Sequence, residues 1–168
     1  MELTVRAGDL APWHPGRCAE LLVGAGPDAR VVGHAGELHP RVCAALDLPP
    51  RTSVMEVDVD ALPARPVVVG PHVSGFPPVH MDAALVVAED VPEADVRAAL
   101  ATGAGELLEQ LRLFDVYTGS QLAAGQRSLA YAFTFRAPDR TLTGEEARQA
   151  FESAVSAATA ATGAVLRG

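Results

Sequence analysis

Apolar and polar residues alternate most strictly over Ser128 to Arg136, where Leu129, Tyr131, Phe133 and Phe135 fall on every second position. That is the period of a strand with one buried face. Val79 to Val87 predicts a second strand. Between them, Val91-Pro92-Glu93 opens a helix whose early acids suit the positive end of the helix dipole. The apolar spacing carries this helix through Val96 and Leu100 and, past Gly103 and Gly105, through Leu107, Leu108 and Leu111. Leu113 to Tyr117 reads as a strand and TGSQLAAGQ as a glycine-bearing loop. Thr143 caps a long helix, and Glu146, three residues on, completes a capping box. Ala147, Ala150, Phe151, Ala154, Val155 and Ala158 stripe that helix, Gly163 ends it, and Ala164 to Arg167 make a short last strand. The order βαββαβ predicts an α+β, ferredoxin-like domain: a four-stranded antiparallel sheet with two helices on one face.

The first 70 residues have a weaker rhythm. Leu3 and Val5 alternate with polar neighbours in a short strand. Cys18, Leu21 and Leu22 at helical spacing, with Pro15 near the first turn, predict a helix from Pro15 to Val23. GAGPD reads as a turn, Arg30 to His34 as a strand, GELHP as a turn and Arg41 to Leu46 as a helix. Val54, Glu56, Asp58 and Asp60 alternate with Met55, Val57 and Val59 in a further strand. Elements this short make a thin core, so the unit is expected to lean on a partner or on more of a larger chain. Residues 63–78, PARPVVVGPHVSGFPP, are too rich in proline and glycine for a helix or central strand. The expected organisation is a partial α+β module at 1–70, a linker at 71–74 and the ferredoxin-like domain at 75–168.

Composition narrows the function classes. The chain has 168 residues, 21 acidic against 13 basic side chains, and a net charge of −8. Every basic residue is arginine, a codon bias toward G and C. With 49 % hydrophobic residues the chain buries a real core and is not disordered. No apolar run approaches the roughly 20 residues of a membrane helix, and MELTVRAGDLAPWHPGR lacks the look of an export leader. Two cysteines, Cys18 and Cys43, are too few for a disulfide framework; buried free thiols in a cytoplasmic protein are expected. The acidic balance argues against nucleic-acid binding by bulk charge, and DNA is not an expected partner.

A smaller surface remains a candidate. If the apolar side of Ser128–Arg136 meets the helices, Ser128, Ala130, Ala132, Thr134 and Arg136 point to the open face. The same rule buries Phe114 and Val116 and exposes Leu113, Asp115 and Tyr117. On the first strand it turns Ala83, Leu85 and Val87 inward, and His80, Asp82, Ala84 and Val86 outward. Small residues on such a face let unstacked bases approach, Tyr117 offers a stacking ring, and Arg136 or Arg127 can meet phosphate. A solvated or protein-covered face is the competing reading, and the fold does not decide between them.

Longer runs carry a resemblance. LFDVYTGSQLAAGQRSLAYAFTFRAPDRTLTGEEA, Leu113 to Ala147, closely resembles the ferredoxin-fold anticodon-binding domain of bacterial phenylalanyl-tRNA synthetase β subunits. FPPVHMDAALVV, Phe76 to Val87, resembles that domain's first strand. APWHPGRCAELLV (Ala11–Val23) and VVGHAGELHPRVCAALDLP (Val31–Pro49) resemble the end of the same subunit's catalytic-like module. The resemblance implies a non-catalytic, tRNA-binding part of a class II ligase, working in the cytoplasm in protein synthesis. Its implied partners are tRNA(Phe) and the synthetase α subunit. ATP and magnesium belong to that α subunit, so no cofactor is expected here. By motif match the RNA-binding role falls on Tyr117, Gly119, Gly125, Arg127, Ser128 and Arg136, with His80 on the neighbouring strand. Gln126 stands where many relatives have a basic residue, leaving Arg127 as the loop's only cation. A full β subunit is several times longer, so its editing domain and earlier modules lie outside this sequence.

Other chemistry is weaker. Gly24 to Arg30 echoes the Gly-x-Gly…Arg stretch of class II motif 3, but Pro27 and Asp28 make a turn there. There is no phosphate-binding glycine loop of Walker or Rossmann type. His34, Glu37 and His39 are spaced H-x-x-E-x-H, with Gly36 and Pro40 breaking any helix, and no metal site is expected. Neither cysteine has a histidine partner for nucleophilic work. Trp13 to Arg17 reads as a packing corner, and Asp58 and Asp60 as a solvated strand face. No catalytic residue is expected. Residues 74–168 hold 7 arginines against 12 acids. That charge keeps a second reading open, an interaction module that docks a partner through 1–70 and has lost RNA binding.

Overall fold

Residues 1–70 are built on four antiparallel strands, β1 (Leu3–Gly8), β2 (Trp13–Val23), β3 (Arg30–Leu38) and β4 (Ser53–Val57), in that spatial order, with a short helix α1 (Pro40–Ala45). The computed structural model describes residues 3–24, 26–64, 70 and 74–167, and divides the chain into two units, Met1–Gly70 and Pro71–Gly168. The linker expected at 71–74 lies, apart from Ser74, outside the described residues.

The helix expected over Pro15–Val23 is instead the strand β2, bonded to β1 on one side and β3 on the other. Cys18, Leu21 and Leu22 are buried all the same. The β2–β3 ladder slips between Leu21, opposite Gly33, and Leu22, opposite Val31. A central strand with an irregular ladder therefore buries residues three and four apart and imitates a helix in one dimension. β3 extends through the expected turn to Leu38, and His39 caps α1 by accepting from the Arg41 N–H at 3.1 Å. The last strand stops at Val57. Asp58 leaves the ladder, and its carboxylate caps a single turn at Val59–Ala61, accepting from the N–H groups of Asp60 and Ala61. Trp13, Val32, Leu38 and the free thiols Cys18 and Cys43 complete a small core, while Leu3, Val5 and Met55 are exposed.

The second unit follows β5 (Val79–Ala88), α2 (Glu93–Ala104), β6 (Leu108–Tyr117), β7 (Gln126–Phe135), α3 (Gly144–Thr162) and β8 (Val165–Leu166). Its antiparallel sheet has the order β6-β7-β5-β8, the ferredoxin-like arrangement. One expected boundary moves. α2 ends at Ala104 rather than running to Leu111, because Gly105 adopts φ +67° and Leu108 to Leu111 enter β6. Leu85, Leu129, Tyr131, Phe133 and Phe135 meet Val96, Leu100, Ala147, Ala154 and Ala158 in one core on the helix side.

α3 starts at the expected capping box. The Glu146 N–H donates to Thr143 Oγ1 at 3.2 Å, while the Thr143 N–H and hydroxyl donate to the Glu146 carboxylate at 3.0 and 2.7 Å. The Thr143 backbone first, then its hydroxyl and Arg140, push the Glu146 carboxyl down to about 2. A carboxylate depressed in the folded state stabilises fully above its ordinary value of 4.5, and that contribution is lost as pH falls from there toward 2. Thr143→Ala is expected to cost about 1 kcal/mol at neutral pH, read by urea unfolding. It should also flatten stability against pH between those values; an unchanged acid limb would contradict the assignment.

Candidate nucleic-acid interface

Strand pairing arranges the open face of the second sheet in rows. Gln110, Thr134 and His80 form one; Arg112, Ala132 and Asp82 the next; then Asp115, Ala130 and Ala84; and last Tyr117, Ser128 and Val86, with Val165 beyond. The floor is small, and both helices lie on the other side.

β6 does not keep the alternation expected of it. Leu113 pairs with Tyr131 but Asp115 pairs with Ala130, so Phe114 is one residue too many for the ladder. The bulge changes which side chains point inward. Leu111 and Leu113 pack against the core, whereas Phe114, expected to be buried, is 48 % exposed; Val116 keeps its expected phase opposite the inward Leu129 but is 47 % exposed on this edge strand. Leu113, expected outside, is inside. The Arg112 guanidinium lies 5.8 Å from the Phe114 ring centroid, and that of Arg167 lies 5.8 Å from the Tyr117 ring centroid, both within cation–π range.

The residues singled out from sequence divide between the two faces. Tyr117 is on the open face, half-buried. Gly119 lies against its phenol tip, and a Cβ there would push the ring aside. Gly125 accepts from the Glu89 N–H at 2.8 Å and ties the loop's end to β5. Ser128 is on the open face but only 4 % exposed. His80 is exposed, with Nδ1 3.3 Å from Thr134 Oγ1. Arg136 is held by Glu109 at 3.0 Å and donates to the Phe76 carbonyl.

Arg127 is not with them. It pairs with Val87, whose side chain is buried on the helix side, and its guanidinium donates to the Val91 carbonyl at 2.5 Å, just ahead of α2. Its Nε is buried without a partner among the described residues. Beside it, the Tyr131 hydroxyl donates to Glu93 at 3.1 Å, and Arg97 braces the same carboxylate at 2.9 Å. Burial first, and then the Glu93 charge, push the Tyr131 phenol above its ordinary value, which keeps it a neutral donor. This cluster pins the start of α2 to the sheet.

Three open-face residues escaped the sequence reading. From sequence, Arg112 falls between the expected helix and the strand from Leu113, Phe114 in the core, and Arg167 at the end of the last strand with no role. The available signal was the inward pair Leu111 and Leu113, which cannot share a phase with an inward Phe114.

In the first unit the metal-like trio disperses. The His34 ring centroid lies 5.3 Å from that of Trp13, His39 caps α1, and Glu37 pairs with Arg17 at 2.6 Å and Arg51 at 2.8 Å. Hydrogen bonds from Arg51 and then Arg17 hold the Glu37 carboxyl below its usual value. Among the described residues no helix is long and apolar enough to cross a membrane.

Two family models match. The ferredoxin-fold anticodon binding domain covers residues 74–167, and the phenylalanyl tRNA synthetase beta chain CLM domain covers residues 1–59. The chain is 59 % identical over 168 residues to the phenylalanine–tRNA ligase beta subunit of Streptomyces avermitilis, covering 99 % of this chain and 20 % of that protein. It is 56 % identical over 169 residues to the subunit of the same name from Thermobifida fusca, covering 100 % and 20 %. With that of Corynebacterium jeikeium it shares 55 % over 167 residues, covering 99 % and 19 %. The chain therefore spans about a fifth of the length of these relatives.

Proposed function

The chain belongs to the ferredoxin-fold anticodon-binding domain family, in the form found in phenylalanine–tRNA ligase beta subunits, and from that premise we propose that its open sheet face binds the anticodon region of tRNA(Phe). One observation supports this reading above the others. Two aromatic rings, Phe114 and Tyr117, each carry an arginine within cation–π range, beside a floor of Ala84, Ala130 and Ala132. Aromatic rings stack on bases of any identity, a cation such as Arg112 meets phosphate, and alanines leave room for unstacked bases. The net charge of −8 is no obstacle, since a site of this kind needs only local cations.

The chain contributes binding and no catalysis of its own. Aminoacylation, with its ATP and magnesium, belongs to the synthetase α subunit, a partner for which the exposed Leu3, Val5 and Met55 of the first unit offer apolar surface. The setting is cytoplasmic protein synthesis. Arg127 serves the site indirectly, through the start of α2.

The test is binding of a tRNA(Phe) anticodon stem-loop to the whole chain at low salt. Phe114→Ala is expected to weaken binding by about 1–3 kcal/mol, the cost of one stacked base. Arg112→Ala should lower the slope of log K against log salt by about 0.7–0.9, as one lost phosphate contact does. Arg127→Ala should act on unfolding more than on RNA. No detectable binding by the unaltered chain, together with stable association with the α subunit, would favour a pure docking module instead.

A further inference from the structure

The middle of the row Tyr117, Ser128, Val86 and Val165 is roofed at Ser128, and the roof has a removable half. Ser128 is the one buried polar residue among those described, at 4 % exposure, although its neighbours Ala130 and Ala132 on the same face are only partly covered. The cover comes from the two ends of the row. Tyr117 stands on β6. Arg167 follows β8, and its backbone N–H donates to the Ala84 carbonyl at 2.8 Å. At about 4.8 Å per strand these backbones are roughly 14 Å apart. The guanidinium reaches 5.8 Å from the ring centroid only because both side chains lie along the sheet, over β7 and β5. Arg167 Nη2 also donates to Gln121 Oε1 at 2.7 Å, fastening the 118–125 loop over the same place. Gly119 closes against the phenol tip.

The sheet floor lies on one side of this row, and a guanidinium lies over the Tyr117 ring, 5.8 Å from its centroid, where a stacked base would sit. The geometry points to Arg167 as a competitor for the base seat: a nucleobase must displace it, releasing Gln121, in order to stack on Tyr117. This rests on the proposed RNA face and adds its regulation. A guanidinium and a base are alternative planar partners for one ring. The exchange makes tight stacking conditional on a ligand that can turn Arg167 aside, and so disfavours casual occupation by any unpaired base.

Two measurements on the whole chain test it. The first needs no RNA. Tyr131 is fully buried, so of the two tyrosines only Tyr117 can give a surface-tyrosine signal in photochemical nuclear polarisation. Arg167→Ala should strengthen that signal severalfold, and Arg167→Lys less. The second is affinity for a tRNA(Phe) anticodon stem-loop at ionic strength above physiological, where an exposed cation contributes little. There Arg167→Ala should bind about three- to tenfold more tightly than the unaltered chain, a gain abolished when Tyr117→Ala is added. Weaker binding by Arg167→Ala, with Tyr117→Ala still harmful, makes Arg167 a phosphate contact; the competition is then overturned and the RNA face stands. An unchanged tyrosine signal overturns it too. If no variant binds RNA, the RNA face fails and the competition falls with it, whatever the tyrosine signal shows.

Discussion

Phe133→Ala should lower the unfolding free energy of the second unit by about 3–5 kcal/mol, the usual cost of deleting a fully buried aromatic ring. Phe133 has no exposed surface and stands on β7, the strand between β6 and β5. Its ring centroid lies 5.7 Å from that of Phe135 in a stacked pair and 5.2 Å from that of Phe151 of α3, edge to face. Removing it opens a void between sheet and helix and also deletes two aromatic pairs, each worth about 0.5–1.5 kcal/mol beyond area. Domains are typically stable by about 5–15 kcal/mol, so this single change removes about a fifth or more of that margin. Urea unfolding followed by circular dichroism measures it. Phe133→Leu should recover much of the loss, and a cost below about 1.5 kcal/mol for the alanine variant would mean that the core around Phe133 is not packed as described.

The second large effect is expected in the first unit, from adding one methyl group. A Cβ at Gly36 would lie 2.1 Å from the Arg17 carbonyl oxygen and 2.9 Å from Cys18 Cα, both on the neighbouring strand. Local preference points the other way, since glycine inside a strand is about 0.5–1 kcal/mol worse than alanine. Contact wins, because the atoms met are backbone and cannot rotate away. Gly36→Ala should therefore destabilise the β2–β3 ladder toward the upper end of the about 1–3 kcal/mol overpacking range. Hydrogen exchange locates the damage: amides of Cys18 to Leu22 should lose protection while those of β7 keep theirs. Wild-type exchange throughout the first unit would mean that β2 and β3 are not so close at Gly36.

How far the sequence revealed this molecule depends on how regular each segment is. β7 keeps one phase for its whole length, and its alternation alone gave its inward face and the open positions from Ser128 to Thr134, while the succession of elements gave the ferredoxin-like order. The capping box at Thr143 was legible because its chemistry is local. β2 was not, because a slipped ladder in a central strand leaves apolar spacing like that of a helix. Phe114 was misplaced for a related reason: one extra residue in β6 changes the phase, and alternation has no means of sensing an insertion. Arg127 is a different case. Two residues before the inward Leu129, it falls on the helix side by alternation, whereas a motif match takes no account of strand phase. Arg167 carried no pattern at all, because its partner Tyr117 is brought near only by the folded sheet.

The bulge at Phe114 has one more consequence, for solubility. β6 is an edge strand ten residues long, with Phe114 and Val116 exposed on it. A straight, apolar edge of that length is a template on which a second chain can add a strand and begin to aggregate. The extra residue breaks the regular row of free N–H and C=O groups in the middle of the strand, and the edge twists away from any flat partner. The opposite edge, β8, is only two residues long. The irregularity that turns an aromatic ring outward thus also keeps the sheet from growing.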